Sequence, residues 1–349
     1  MKPPVHRHRL NARAPVRSFF NRCLHPFIVV RSTFILFILA IFTPTSGFAF
    51  DLQGHRGARG LAPENTLAAF AAALRTGVTT LELDIAVTAD GVVVVSHDAA
   101  LNPALTRNAA GQWLTGIQGP AINTLTLAQL QTYDVGRINP ASAQANLFSS
   151  QLPSDGQRIP TLAAVFELVT MMGASGVKFN IETKLDPLQP DASVSPELMT
   201  KALLKVVRDA GMAQRVTVQS FDWRSLQVVQ QLAPNLPTSC LTAQFPSNDS
   251  VRDSRWTAGF QLDDYPGLPW MVKAAGCVAW SPNSAAVTKS LLRQAHSLGL
   301  QVLPWTVNAR PDMVRLLDWG VDGIITDYPD RLRSLLGERG IAMPTQISP

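Results

Sequence analysis

No acidic residue occurs before Asp51, and no apolar run in the 349-residue chain is long enough to cross a bilayer. The longest, Phe34 to Phe42, has nine residues where a spanning helix needs about 20, and extending it back to Phe27 would take in Arg31. Lys2, Arg7, Arg9, Arg13, Arg17, Arg22 and Arg31 flank it on the N-terminal side, and Gly47 and Ala49 place small residues where a signal peptidase needs them. This pattern is that of a secretory signal with a long basic region, expected to be cut after Ala49, which would make the mature chain periplasmic or secreted. Loss of residues 1–49 removes seven of the 30 basic and none of the 25 acidic residues, so a formal +5 becomes 23 against 25, or −2. The basic excess that would favour nucleic acid as a partner goes with it. Cysteine is also scarce: of three, Cys23 lies in the signal, and Cys240 and Cys277 sit in β-like runs, open either to one disulfide or to two buried thiols. No histidine motif accompanies either one, which argues against a cysteine nucleophile. Internal repeats are absent, which argues against a repeat architecture.

From residue 50 onward the chain alternates between two periodicities. Short β-like runs lie near residues 52–56, 79–87, 178–183, 215–221, 238–242, 277–281, 301–307 and 322–327, with helical patterns at 65–76, 162–172, 196–210, 223–232, 286–298 and 310–319 between them. Eight strands alternating with helices predict an α/β fold, a parallel (β/α)8 TIM barrel over residues 50–340 with a short tail at 341–349. Residues 101–158 break the rhythm, being rich in Asn, Gln, Gly, Pro and Ser, and are expected to form an insertion after the second strand, over the barrel mouth. Subtracting those 58 residues from a mature chain of 300 leaves 242, close to the roughly 250 usual for this barrel. A second insertion is expected near residues 245–270, carrying Trp256, Tyr265 and Trp270. Pro304 interrupts the run 301–307, where an interior strand would lose a ladder hydrogen bond, so a bulge or an early strand end is expected there.

Residues 79–97 carry the densest chemistry. Two β-like runs flank Ala89-Asp90-Gly91, a β-hairpin signal. With Asp90 and Gly91 as a two-residue turn, paired numbers sum to 181: Asp84 faces His97, and Glu82 shares that face. A slip of one residue would turn His97 to the opposite face. Leu81, Leu83 and Ile85 occupy the other face, so the acids point to solvent or to a polar barrel mouth. In the run 178–184, Asn180, Glu182 and Lys184 share one face. Glu82, Asp84 and Glu182 suit Ca²⁺ or Mg²⁺, whereas zinc is disfavoured because carboxylates outnumber histidines. Arg56 and Lys184 supply positive charge for a phosphate, and His55 and His97 supply proton transfer. His296 falls in the last turn of a helical pattern and reads as a helix-terminal charge.

Gly54-His55-Arg56-Gly57, Pro63-Glu64-Asn65-Thr66, Glu82-Leu83-Asp84, His97-Asp98, Ile181-Glu182-Thr183-Lys184, Trp305-Thr306-Val307-Asn308 and the run from Gly323 to Pro329 occur in the order of the glycerophosphodiester phosphodiesterases. Residues 52–335 resemble that family. The resemblance implies a TIM barrel with a small insertion after the second strand, His55 and His97 as an acid/base pair, Arg56 and Lys184 as phosphate-binding groups, and Glu82, Asp84 and Glu182 as ligands to a divalent cation, Ca²⁺ in preference to Mg²⁺. Its implied activity is hydrolysis of a glycerophosphodiester to glycerol 3-phosphate and an alcohol, by water or through a cyclic phosphate. Phe221 and Trp305 are expected at the mouth against the substrate, or alternatively in the barrel core.

Two other readings share these residues. A related barrel phospholipase acting on lysophospholipids would expose an apolar rim, for which Trp256, Tyr265, Pro266, Leu268 and Trp270 are candidates. A non-catalytic barrel that binds phosphodiesters would have no need of both histidines.

Overall fold

The computed structural model describes residues 50–347, so the expected export signal lies outside the described residues. The strands are β1 (Asp51–Gly54), β2 (Thr80–Val87), β3 (Val93–Val95), β4 (Lys178–Thr183), β5 (Val216–Ser220), β6 (Thr238–Thr242), the short pair β7 (Gln244–Phe245) and β8 (Asn248–Asp249), β9 (Ala279–Pro282), β10 (Gln301–Val302) and β11 (Gly323–Thr326). The helices are α1 (Leu67–Thr76), α2 (Leu127–Leu130), α3 (Ala143–Leu147), α4 (Leu162–Met171), α5 (Pro196–Asp209), α6 (Trp223–Leu232), α7 (Leu268–Ala274), α8 (Lys289–Ser297), α9 (Arg310–Trp319) and α10 (Pro329–Glu338). Parallel strands in the order β10, β9, β6, β5, β4, β2, β1, β11, each followed by a helix, make the (β/α)8 barrel. Two of its helices, α7 and α10, were not expected from the sequence. Both are short or polar, and Gly267 and Pro269 at the start of α7 read as loop.

The last pair, β10 and β11, forms no continuous ladder, and Pro304 is the reason. Pro304 lacks an N–H, so β10 ends at Val302. The seam is still joined by Asp322 N–H to Val302 O (3.2 Å), Ile325 N–H to Pro304 O (3.0 Å) and Val307 N–H to Ile325 O (3.0 Å).

Strand alternation sorts the side chains. Leu81, Leu83 and Ile85 are fully buried toward the helices, while Thr80, Glu82 and Asp84 point into the barrel. Helix starts are fixed by side-chain caps: Thr66, Thr161, Ser195, Asp222 and Thr288 each accept a backbone N–H in the first turn. Gly77 ends α1 in the left-handed conformation.

The β2–β3 hairpin departs from the two-residue turn. Ile85 pairs with Val95 and Val87 with Val93, so paired numbers sum to 180. Thr88 N–H bonds Val92 O (3.0 Å) and Gly91 N–H bonds Thr88 O (3.0 Å), giving a three-residue loop with Gly91 at φ 80°. Asp84 therefore faces Ser96, not His97. The expected consequence, a His97 turned away from the site, does not follow, because the ladder ends with Ser96 N–H on Asp84 O (3.0 Å) and the chain bends from His97 onward, with Ser96 Oγ donating to Asp98 O (3.0 Å).

Residues 96–161 run from β3 to α4 and contain α2 and α3. They build a small core of their own, with Leu101, Ile122, Leu130 and Ile159 packed on Ala86 and Val94 of the hairpin. Arg107, Asp134, Asp155 and Arg137 tie its outer edge together in an ionic chain.

Cys240 on β6 and Cys277 before β9 form a buried disulfide that closes a 37-residue separation. Replacing both with serine is expected to lower the free energy of unfolding by about 3 to 4 kcal/mol. Urea denaturation followed by tryptophan fluorescence measures this.

Candidate active site

At the C-terminal end of β1 the chain turns sharply, with Arg56 at φ 50° and Gly57 at φ 87°. A Cβ on Gly57 would lie 2.7 Å from the Ala69 carbonyl carbon of α1, so only glycine fits. Arg56 tolerates its left-handed backbone because the turn aims two donors inward: its N–H bonds Glu82 Oε2 at 2.9 Å, and its Nε lies 3.5 Å from Asp84 Oδ2. Its Nη1 bonds Glu64 Oε1 at 2.6 Å. Asn65, also left-handed at φ 55°, donates Nδ2 to Asp84 Oδ2 at 2.9 Å. Two of the three non-glycine residues with positive φ among the described residues thus lie where the polar contacts converge.

Glu82 and Asp84 on β2 and Glu182 on β4 are 2%, 1% and 6% exposed, and one oxygen from each lies within 4.8 Å of the others. Lys184 Nζ bonds Glu182 Oε1 at 2.8 Å and sits 3.9 Å from Asp84 Oδ1. Asp84 Oδ1 is buried with no hydrogen-bond partner. Three buried oxygen donors, one of them unpaired, fit a hard divalent cation.

The charges of this cluster oppose one another. Burial and the adjacent Asp84 push Glu82 well above the usual carboxylate range, and burial and Asp84 push Glu182 up to about 7 despite Lys184. Burial also works against ionisation of Asp84, but His97, Arg56 and Lys184 outweigh it and hold Asp84 below its ordinary value.

Each site histidine is held by a carboxylate. His55 Nδ1 lies 2.6 Å from Asp327 Oδ1, and Asn308 Nδ2 bonds the other Asp327 oxygen at 2.7 Å. His97 Nδ1 lies 2.8 Å from Asp98 Oδ1, and Asn102 Nδ2 bonds Asp98 Oδ2 at 2.8 Å. Pairing through Nδ1 leaves each Nε2 free for proton transfer, and His55 Nε2 faces Glu82 Oε2 at 3.9 Å. Burial lowers the pKa of His55 although Asp327 opposes it; burial, Arg56 and Lys184 push His97 down to about 4. The partners are held as anions: against burial, His55 and Arg59 keep Asp327 at about 2, and the hydrogen bond and charge of His97 keep Asp98 at about 2.

His97, Glu182, Lys184, Phe221 and Trp305 line one cavity of about 770 Å³ at the mouth. Phe221 and Trp305 meet edge to face at 5.3 Å, and Trp305 Nε1 bonds Ser281 O at 2.9 Å. Both are half-buried mouth residues and not fully buried core. Among the candidate rim residues only Trp256 lines this cavity: Leu268 is buried in α7, Tyr265 packs on Phe260, and Trp270 is exposed on α7. The apolar side chains exposed at the mouth are instead Ile117 and Phe245. His296 lies in the last turn of α8, paired with Asp322 at 2.9 Å.

The sequence profile of the glycerophosphoryl diester phosphodiesterase family matches residues 55–331. The chain belongs to that family. It is similar to a glycerophosphodiester phosphodiesterase of Bacillus subtilis, 31% identical over 285 residues, 79% of this chain and 83% of that protein. A crystal structure from Silicibacter pomeroyi that carries the family's name is 37% identical with a TM-score of 0.76, covering 85% of this chain and 96% of that one. A phosphodiesterase of Oleispira antarctica, solved with its product sn-glycerol-3-phosphate, shares the fold at 22% identity and a TM-score of 0.60, with 83% and 98% covered. The chain is a glycerophosphodiester phosphodiesterase of (β/α)8 barrel fold. Among the described residues no helix is long and apolar enough to cross a membrane.

Sequence reasoning assigned no role to Glu64, Asn65, Asp98 or Asp327, although each sits inside a motif it singled out. A carboxylate next to a histidine, as in His97-Asp98, was the available signal. Asp327 and Asn308 could not be assigned to His55 without knowing that β11 lies beside β1.

The raised carboxylates predict how cation binding depends on pH. An acid whose pKa is higher folded than unfolded binds more protons in the folded state, so the cluster costs stability as pH rises from about 4.5 through 7. A cation competes with those protons. Added Ca²⁺ or Mg²⁺ is therefore expected to raise the melting temperature more at pH 8 than at pH 5.5, as differential scanning fluorimetry would record.

Proposed function

We propose that the chain hydrolyses glycerophosphodiesters such as glycerophosphocholine and glycerophosphoethanolamine to glycerol 3-phosphate and an alcohol, with His55 and His97 as acid/base pair. The observation that carries this is the placement of two histidines, each oriented through Nδ1 by a carboxylate (buried Asp327, half-exposed Asp98), around a cluster of three carboxylates with Arg56 and Lys184 beside it. The solved relative that holds sn-glycerol-3-phosphate supports the product.

Glu82, Asp84 and Glu182 would hold a divalent cation, Ca²⁺ in preference to Mg²⁺, because Mg²⁺ is usually held through fewer carboxylates and keeps more of its water, whereas Ca²⁺ accepts a carboxylate-rich shell. Bound there, the cation supplies Lewis-acid neutralisation of phosphate charge. Arg56 and Lys184 bind the phosphate oxygens. Burial lowers the pKa of both imidazoles and so favours their neutral form before substrate binds, which suits the base. The base takes the proton from the attacking oxygen as the new P–O bond forms, and the other histidine, protonated from solvent when the anionic phosphodiester binds beside it, passes that proton to the leaving alcohol oxygen as the old P–O bond breaks. Asp327 and Asp98 stabilise the imidazolium at each centre. The attacking oxygen is water or the glycerol 2-hydroxyl; the latter forms a cyclic phosphate first. Phe221 and Trp305 pack against the glycerol or the alcohol.

Ile117 and Phe245, exposed at the mouth, favour a second reading in which lysophospholipids are also cleaved. We further propose export and removal of residues 1–49, with action in the periplasm or outside the cell, a reading that the disulfide supports.

The test is glycerol 3-phosphate release from glycerophosphocholine, with chelator and with Ca²⁺ or Mg²⁺ restored. His55→Ala and His97→Ala are each expected to lower kcat at least about 100-fold. Release by either variant at the wild-type rate would remove that histidine from the chemistry, and a 2-deoxy substrate that still turns over would favour water as the nucleophile.

A further inference from the structure

A chain of side-chain hydrogen bonds runs through the barrel interior toward Glu82. Gln53 Nε2 donates to Asp51 Oδ2 (2.7 Å), Asn180 Nδ2 donates to both Gln53 Oε1 (2.9 Å) and Gln219 Oε1 (2.8 Å), and Gln219 Nε2 donates to Glu82 Oε1 (2.8 Å). Gln53, Asn180 and Gln219 are each at most 2% exposed. Asp51 starts the chain at the N-terminal end of β1, where Thr79 and Thr80 hydroxyls also donate to its other oxygen, at 2.5 and 2.7 Å.

The direction of every bond follows from the ends. Asp51 is a carboxylate, and Glu82 is one when ionised as a cation ligand; in that form both only accept, so the amides touching them must present their NH₂ groups. Gln53 and Gln219 then turn carbonyl oxygens toward each other across the barrel. Only a group that donates twice can join two acceptors, and Asn180 between them does so with the two hydrogens of one NH₂. Its Oδ1 is left buried and unpaired, a cost that the flipped amide would not relieve, because the flip would set oxygen against oxygen on both sides.

We infer that Gln219 is a positioning residue for Glu82, locked in the donating orientation through Asn180. With Arg56 N–H on Oε2 and Gln219 on Oε1, both oxygens of Glu82 accept a hydrogen bond, which fixes the plane of the carboxylate and favours its ionised form. Neither Gln219 nor Asn180 is among the residues proposed to touch cation or substrate. The inference rests on the reading of Glu82 as a cation ligand.

The test is isothermal titration of Ca²⁺ and of Mg²⁺ into wild type, Gln219→Met and Asn180→Leu, with the melting temperature of each cation-free protein to establish folding. Asn180→Leu leaves Gln219 in place but removes what orients it. Both variants are expected to bind the cation 10- to 100-fold more weakly, with kcat largely recovered at saturating cation and KM for glycerophosphodiester little changed. Wild-type affinity in a folded Gln219→Met would overturn the inference, and wild-type affinity in Asn180→Leu would overturn the locking step. Should Gln219→Met fail to fold, Gln219→Asn, whose shorter amide cannot reach Glu82, takes its place with the same outcomes. Failure of the wild type to bind either cation would instead sink the reading of Glu82 as a ligand.

Discussion

Glu82, Asp84 and Glu182 meet buried inside the barrel, with one oxygen of each within 4.8 Å of the others, and much of the site is arranged against their mutual repulsion. Arg56 lies against Asp84 and gives its backbone N–H to Glu82, Lys184 pairs with Glu182, and Asn65 donates to Asp84. Even so, two of the three carboxylates are pushed toward protonation, and one Asp84 oxygen has no partner. A cluster so incompletely neutralised is a poor device for stability. As a receptor for a cation it is well placed, because binding removes the repulsion that folding introduces.

The barrel supplies the geometry for this at low conformational cost. Parallel strands bring residues distant in sequence to one end, so that β1, β2, β4 and β11 contribute His55, two acids, a third acid and Asp327. Rigid strands hold the acids; the segments after them hold the two histidines. The segment from β3 to α4 then closes one side of the mouth, with Phe148 stacked 4.3 Å over the guanidinium of Arg59, whose Nε lies near both Glu64 and Asp327.

Most of this was legible in the sequence, for a physical reason. Strands buried on their outer faces and polar within write a clear alternation, as in Leu81-Glu82-Leu83-Asp84-Ile85, and eight such runs determine the barrel. What remained hidden depended on local geometry or on long-range neighbours. The hairpin register was off by one because Asp-Gly serves a three-residue loop as well as a two-residue one, and His97 reached the site only because β3 ends before it. The early end of β10 was legible because Pro304 cannot donate, while the bonds that bridge the seam were not. Asp327, Asn308 and the interior amides required knowledge of which strands are adjacent. α7 was missed because Gly267 and Pro269 mark a loop as readily as a helix start.

The most direct test of the central claim is the stoichiometry and affinity of divalent-cation binding by equilibrium dialysis at pH 8, for the wild type beside Asp84→Asn. One ion per chain, lost or weakened by orders of magnitude in the variant, is the result this account requires. Equal binding by both proteins would place any cation elsewhere and leave the buried carboxylates without the role assigned to them.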